Sequence, residues 1–233
     1  MKKMNSIVLW IICVLVSSNS LLAAPIPVDI ISSNFHIEGY ASGILYPQNT
    51  PLYDSYNQSS TNPISRNINF TPPLPYGLYA SSDTGYFSVG ASAYAFMDIS
   101  YAEAEAEWVF KPVYDFNNLT INLHFDHASS MYLGIKGELI DLTDNILLWN
   151  IDKPLWQSWE LPWEPINSII SHYFESDHLY RLYFMGASSA NMDYGSINFR
   201  TNDIIPAPEP SSLLLLGSGL VVLVGYGRTR TKK

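Results

Sequence analysis

Apolar and polar residues alternate with a period of two along residues 91–110. The apolar residues keep one parity up to Tyr101 and take the other parity from Ala102 onward, with glutamates at every second position of the later stretch. A helix would spread those glutamates around its circumference, whereas a strand gathers them on one solvent face. The pattern therefore predicts strand structure with a β-bulge or bend at the change of parity, ending at Lys111 and Pro112. The predicted solvent face carries Glu103, Glu105 and Glu107, and the predicted core face carries Ala104, Ala106, Trp108 and Phe110.

Other segments repeat this alternation or combine aromatic and β-branched residues with glycine. They predict further strands within residues 34–45, 76–92, 119–125, 130–141, 146–149, 177–185 and 192–200. A turn is predicted at 143–145. Residues 46–75 are dense in Pro, Asn and Ser and predict a long loop, and residues 165–173 predict a short helix or turn.

Many short strands without βαβ alternation, together with 14% aromatic residues, predict an all-β fold. The expected architecture is an antiparallel β-sandwich of the jelly-roll type, formed by residues 24–205. A domain of this size can bury one substantial core.

The N-terminus has the layout of a secretory signal peptide. Lys2 and Lys3 precede the apolar stretch Ile7–Val16, and Ala23 precedes Pro25 by two residues. Because proline directly after the scissile bond blocks signal peptidase, cleavage is expected after Ala23. Residues 1–23 are thus predicted to be a signal helix that signal peptidase removes.

The charge of the chain changes when its two ends are set aside. The formal net charge is −9 overall, but six of the 12 basic residues and one of the 21 acidic residues lie in the ends. The predicted body keeps six basic against 20 acidic residues, a net charge of −14. Such a surface repels phosphates, which excludes nucleic acid and anionic lipid as partners. The single cysteine, Cys13, lies in the signal peptide, so the mature body is expected to contain no thiol.

The C-terminus carries a short apolar run between a proline-rich triplet and a basic end. Leu213–Tyr226 is mostly apolar, and a helix of that length would be about 21 Å long against about 30 Å for a bilayer core. It is short for a permanent span. The basic end is expected to stay cytoplasmic, which places the body outside the inner membrane.

This arrangement resembles the PEP-CTERM sorting signal of Gram-negative bacteria that make exopolysaccharide. That family has a Pro-Glu-Pro triplet, a single short transmembrane helix and a basic tail at the extreme C-terminus. Pro208, Glu209 and Pro210 match the triplet here, and Arg228 and Arg230 belong to the matching tail. The signal would occupy residues 206–233, with the helix at about 211–227 and the tail at 228–233.

The resemblance implies export across the inner membrane to the cell envelope or extracellular matrix. An exosortase would recognise the tail and cleave it near the triplet, and the C-terminal helix would anchor the protein until then. The alternative is an ordinary membrane anchor without processing.

A cluster of tryptophans is the first candidate for ligand binding. Four of the six lie between residues 149 and 163, beside acidic residues. Indole rings stack on sugar rings while carboxylates bind sugar hydroxyls, so Trp156, Trp159 and Glu160 are candidate glycan-binding residues. In the alternative interpretation, Trp149 and Trp163 belong to the core.

Other candidate chemistry is sparse. Asp141 and Asp144 could bind Ca²⁺ with a carbonyl oxygen, and no other cofactor is expected. The histidines are expected to be structural or exposed at the surface. No G-x-S-x-G, H-E-x-x-H or glycine-rich phosphate loop occurs, so no enzymatic activity is predicted.

The leading hypothesis for function is a structural or adhesive component of the matrix. A polysaccharide-binding module that uses the tryptophan segment is the alternative, and a glycoside hydrolase is the second alternative.

Overall fold

The computed structural model describes residues 25–45, 50–70, 78–95, 99–127, 132–157, 166–191 and 194–206. The regular elements within these ranges are β-strands, which confirms the all-β prediction. The predicted signal helix and C-terminal transmembrane helix lie outside the described residues. The strands are β1 Ile26–Leu45, β2 Thr50–Ser60, β3 Ser65–Phe70, β4 Leu78–Gly85, β5 Ser88–Ala95, β6 Ile99–Pro112, β7 Phe116–His127, β8 Tyr132–Asp141, β9 Ile146–Gln157, β10 Ile166–Phe174, β11 Tyr180–Asn191, β12 Tyr194–Arg200 and β13 Ile204–Pro206.

The strands form two sheets that share one core. Sheet A has the order β13-β1-β6-β11-β8-β9, and β2 also pairs with β1. Sheet B has the order β10-β7-β12-β5-β4-β3. Among the described strands the pairing is antiparallel except between β1 and β13, which run parallel. The prediction of an antiparallel two-sheet architecture is therefore confirmed.

Side chains alternate between the core and the outside along most strands, as a pleated sheet requires. In β6 the predicted apolar face is fully buried, and the three glutamates face outward. Trp108 is at the centre of the core, where its ring meets Phe35 at 5.8 Å, Phe87 at 5.4 Å and Phe184 at 5.7 Å between centroids. Phe184 of sheet A also stacks on Phe199 of sheet B, at 4.9 Å. Aromatic rings from both sheets thus interlock in the middle of the sandwich.

The predicted bulge near residue 101 is wrong, although the change of parity is real. β5 belongs to sheet B and β6 belongs to sheet A. The odd residues of β5 and the even residues of β6 both face the core, since the chain passes from one sheet to the other between them. The predicted end of the strand at Pro112 is confirmed.

The predicted loop at 46–75 is also wrong, because β2 and β3 lie within it. Each of these strands has only one neighbour in its sheet. Of its described side chains, β2 buries only Tyr56 and β3 buries only Ile68. Such outer strands need few apolar residues, so the alternation that reveals a strand in a sequence is missing.

The predicted short helix or turn at 165–173 is likewise a strand, β10. Its apolar residues do not follow its faces. Ile169 and Tyr173 point outward and are 69% and 50% exposed, while Ser168 and His172 are half-buried. The remaining predicted strands are confirmed with shifted ends, and so is the turn at 143–145.

Candidate ligand-binding groove

The outer face of sheet A carries polar side chains from four adjacent strands. The register places Glu107 of β6 beside Tyr183 of β11. Glu138 of β8 and Asn150 of β9 continue the same row across the sheet. A carboxylate, a phenol, a second carboxylate and an amide therefore follow one another in a line at right angles to the strands.

A second row lies directly beside the first. It contains Glu105 of β6, Met185 of β11, Lys136 of β8 and Asp152 of β9. The first row and the β8–β9 part of the second row line a cavity of about 360 Å³, a volume within the range of small-molecule sites. The cavity is lined by Glu107, Lys136, Gly137, Glu138, Asn150, Ile151, Asp152, Arg181 and Tyr183.

A second cavity of about 190 Å³ continues the first one along the sheet. The two share Lys136 and Asp152, and the second also reaches Tyr101, Glu103 and Lys153. We call both cavities together the groove. Its elongated outline suits an extended chain better than a compact molecule.

Two ion pairs lie in the groove. The Arg181 guanidinium donates a hydrogen bond to Glu138, and Lys136 Nζ lies 3.9 Å from Asp152 Oδ2. Arg181 Nε is buried and has no hydrogen-bond partner among the described residues. A buried donor left without a partner is costly.

The tyrosines of the groove remain protonated donors. Burial, together with the Glu105 carboxylate, raises the pKa of Tyr183 far above its ordinary value. Burial, together with a hydrogen bond to Glu103, raises the pKa of Tyr101 in the same way. The Tyr101 ring also stacks on Tyr40, with 5.7 Å between centroids. Both phenols donate their O–H groups to neighbouring glutamates, so each can offer a ligand an acceptor oxygen and an apolar ring.

The predicted glycan-binding residues adjoin the groove in sequence. The backbone of Trp156 pairs with Leu133 at the end of β9, but its side chain lies outside what the structure describes. Trp159 and Glu160 also lie outside the described residues, as does Trp163. Trp149 packs in the core against Phe199, with 6.3 Å between centroids, which confirms the alternative interpretation for this residue.

Most residues of the groove were missed by the sequence analysis. Glu107 was predicted to face solvent, and the structure places it beside Tyr183, a residue 76 positions later in the chain. The alternation within β11 does show that Arg181 and Tyr183 share a face. Which strands are neighbours could not be read from that alternation.

The candidate Ca²⁺ residues are at one end of the sandwich. The Asp141 carboxylate is buried, and it accepts hydrogen bonds from the backbone N–H groups of Thr143 and Asp144, at 2.9 and 3.2 Å. It also lies 2.8 Å from His178 Nδ1. Ligand atoms of Asp141, Asp144 and His178 lie within 4.8 Å of one another. The Ca²⁺ site stays a prediction. The neighbouring His178 offers a nitrogen atom, which is a poor ligand for calcium.

The pair of Asp141 and His178 is electrostatically coupled. Burial acts to raise the pKa of Asp141, but the hydrogen bonds from His178, Asp144 and Thr143 outweigh it, so the pKa is lowered. The hydrogen bond to Asp141 raises the pKa of His178. The second ring nitrogen, Nε2, lies 3.5 Å from a Glu175 carboxylate oxygen. His178 thus joins the β10–β11 turn to the β8–β9 turn.

Comparison with known proteins identifies the C-terminal end of the chain. Residues 206–230 match the family model described as the PEP-CTERM protein-sorting motif. The predicted resemblance to the PEP-CTERM sorting signal is therefore confirmed. The matched residues include Pro208, Glu209, Pro210, Arg228 and Arg230, whose individual roles stay predictions. The motif implies that the protein is exported and sorted by an exosortase, with membrane anchoring before processing. No curated protein matches the chain.

The described residues and the motif overlap only at Pro206, the first residue of the motif. Pro206, the last residue of β13, pairs with Val28 of β1. The motif beyond it lies outside the described residues. In the part of the chain that the structure describes, no helix is long and apolar enough to cross a membrane.

Proposed function

We propose that this protein is a non-enzymatic, adhesive component of the cell envelope or extracellular matrix that holds polysaccharide in the groove of sheet A. Export and exosortase sorting bring the protein to a surface where polysaccharide is the abundant polymer. Signal peptidase would remove residues 1–23, and the exosortase would remove the C-terminal helix.

The chemistry of the groove carries this proposal. Carboxylate and amide oxygens accept hydrogen bonds from sugar hydroxyls, and Arg181 and Lys136 donate hydrogen bonds to sugar oxygens. Tyr183 adds a ring that can contact the apolar side of a sugar. All of these groups are on paired strands, so little backbone entropy is lost on binding.

The strand order supports a rigid scaffold for such a site. β6-β11-β8-β9 in sheet A and β10-β7-β12-β5 in sheet B follow the order of an eight-stranded jelly roll. β1 to β4 and β13 extend these two sheets. We therefore infer a jelly roll whose outer face on sheet A presents the groove.

The tryptophan segment remains a second candidate site. Asn150 and Asp152 of the groove precede Trp156 on β9, and Trp159 and Glu160 follow it in the sequence. Replacement of Trp156 or Trp159 by alanine would weaken binding if the segment takes part.

The test is a glycan array probed with the full chain in mild detergent. Tyr183→Ala together with Arg181→Gln should weaken binding at least about ten-fold, because both side chains line the larger cavity of the groove. Tyr114→Ala is the control, because Tyr114 is 48% exposed and lies outside the groove.

Unchanged binding by the double variant would contradict the groove as the site. Release of sugar fragments by the wild-type chain, lost on Glu107→Gln, would instead support a glycoside hydrolase.

A further inference from the structure

The outer face of sheet B differs from the groove in its chemistry. Tyr79 of β4, Tyr94 of β5 and Tyr194 of β12 are consecutive partners across three strands. The rings of Tyr79 and Tyr94 are nearly parallel, with 5.6 Å between centroids and 14° between planes. Tyr194 is 40% exposed. A row of phenols therefore crosses this side of the sandwich.

A row of small hydroxyl side chains runs beside the tyrosines. The register aligns Ser81 of β4, Ser92 of β5 and Ser196 of β12, and Asn67 of β3 extends the row. Neighbouring strands lie about 4.8 Å apart, so the hydroxyls form a regular array. We call the outward side chains of β4, β5 and β12 the neutral face.

The next row contains Asp83, Gly90 and Asn198. A Cβ atom added to Gly90 would lie 2.6 Å from Asp83 Oδ1 and 3.3 Å from Asn198 Nδ2. The side chains of Asp83 and Asn198 thus reach over Gly90. Neighbouring groups partly desolvate the Asp83 carboxyl and raise its pKa, although the residue as a whole remains exposed.

Charge is sparse on the neutral face. Asp83 and Arg200 are the two charged residues among its twelve outward positions, and Asp126 of β7 continues the serine row beside Ser196. A surface shaped by solubility alone carries charge at roughly 25–35% of its positions. Serine and asparagine lose little rotamer entropy on contact compared with Lys or Glu. The face is therefore suited to a direct contact with another polar, uncharged surface.

We propose that the neutral face is a second binding site, specific for neutral polysaccharide. Hydroxyl and amide groups both donate and accept hydrogen bonds, which matches the hydroxyls of a sugar chain. The tyrosine row supplies apolar contact, and binding desolvates few charges. A second copy of the chain fits less well, because each copy carries a strong negative charge.

The two sites face away from each other on opposite sheets. A protein that holds polysaccharide in the groove and on the neutral face links two polymer chains. This consequence rests on the proposed function of the groove, whereas the second site itself does not.

The test measures co-sedimentation of the full chain, in mild detergent, with cellulose, chitin and insoluble dextran as neutral probes. Wild-type chain should bind at least one of them, with an affinity that 1 M NaCl leaves unchanged within about two-fold. Ser92→Glu with Ser196→Glu should weaken that binding at least ten-fold. Ser42→Glu, an exposed position on β1, is the matched control and should bind as wild type.

The groove variant with Tyr183→Ala and Arg181→Gln separates the two proposals, since it should retain binding to the neutral probes. Binding to none of the probes would overturn the neutral face as a glycan site. So would loss of binding in the groove variant, unchanged binding in the double glutamate variant, or self-association that the double glutamate variant abolishes.

Discussion

Trp108 contacts three aromatic rings in the core of the sandwich. It is fully buried, and its rings meet those of Phe35, Phe87 and Phe184. Its Nε1 is buried without a partner among the described residues. The ring contacts of Trp108 therefore stabilise the fold, whereas its buried N–H group lowers the stability because it forms no hydrogen bond within the described part of the chain.

We expect Trp108→Ala to lower the free energy of unfolding by about 3–5 kcal/mol, because a large cavity would remain between the sheets. Urea denaturation followed by circular dichroism measures the change. Tyr53→Ala, at a position 67% exposed, is the control and should cost less than about 1 kcal/mol. A loss below about 1 kcal/mol for Trp108→Ala would contradict this packing.

The contact between His178 and Asp141 should make stability depend on pH. A raised pKa of His178 gives stability that is complete below 6.5 and is lost as the pH rises through the folded-state pKa. A lowered pKa of Asp141 gives stability that is present above 3.8 and is lost as the pH falls. The pair therefore contributes most between about pH 4 and 6.5.

His178→Gln should lower the thermal midpoint more at pH 5.5 than at pH 8.5. His124→Gln, at an exposed position, is the control and should show no such difference. Equal losses at the two pH values for His178→Gln would show that the contact does not depend on the charge of the ring.

At the residue scale, the sequence indicates which face of a strand a residue is on, but not which residues of other strands lie beside it. The alternation of β6 separated Glu103, Glu105 and Glu107 from the buried alanines because both sets are on one strand. The partners of Glu107 and Glu138 in the groove come from other strands. Which strands are adjacent depends on long-range packing, so the groove could not be predicted from local pattern.

At the element scale, the parallel pairing of β13 with β1 fixes the position at which the sorting motif begins. Ile26 N donates a hydrogen bond to the Asp203 carbonyl at 2.7 Å, and Pro206 pairs with Val28. The first residue of the sorting motif is thus held beside Val28, near the first residue that the structure describes. The two ends of the sandwich lie side by side, although Ile26 and Pro206 are 180 residues apart in sequence.

Ile204→Asp should release β13, because Ile204 is 1% exposed and a buried carboxylate without a partner is costly. We expect amide hydrogen exchange at residues 204 and 205 to rise at least about ten-fold. Ile205→Asp is the matched control, since Ile205 is 40% exposed and should tolerate the charge. Equal exchange in the two variants would contradict the docking of β13.

At this scale, strands that bury one complete face were easier to predict from the sequence than strands that bury few residues. Strands with two neighbours, such as β6 and β11, alternate clearly and were predicted. β2, β3 and β10 each have one neighbour, and their exposed apolar or polar residues concealed them. Their outer positions relax the need for an apolar face, so composition alone indicated a loop or a helix.

At the scale of the whole molecule, the sandwich separates two kinds of surface. The groove on sheet A gathers charged side chains, and the neutral face on sheet B gathers hydroxyls and phenols. The sequence predicted the class of fold and the destination of the protein. The opposite placement of these two surfaces appears only when the sheets are assembled.

The most direct test of the groove is calorimetric titration of the full chain with the extracellular polysaccharide of its own host cells. The expected result is saturable binding that Tyr183→Ala with Arg181→Gln weakens at least about ten-fold, without shortening of the polysaccharide. Equal affinity for wild type and the double variant, or no binding by either, would contradict the proposed function.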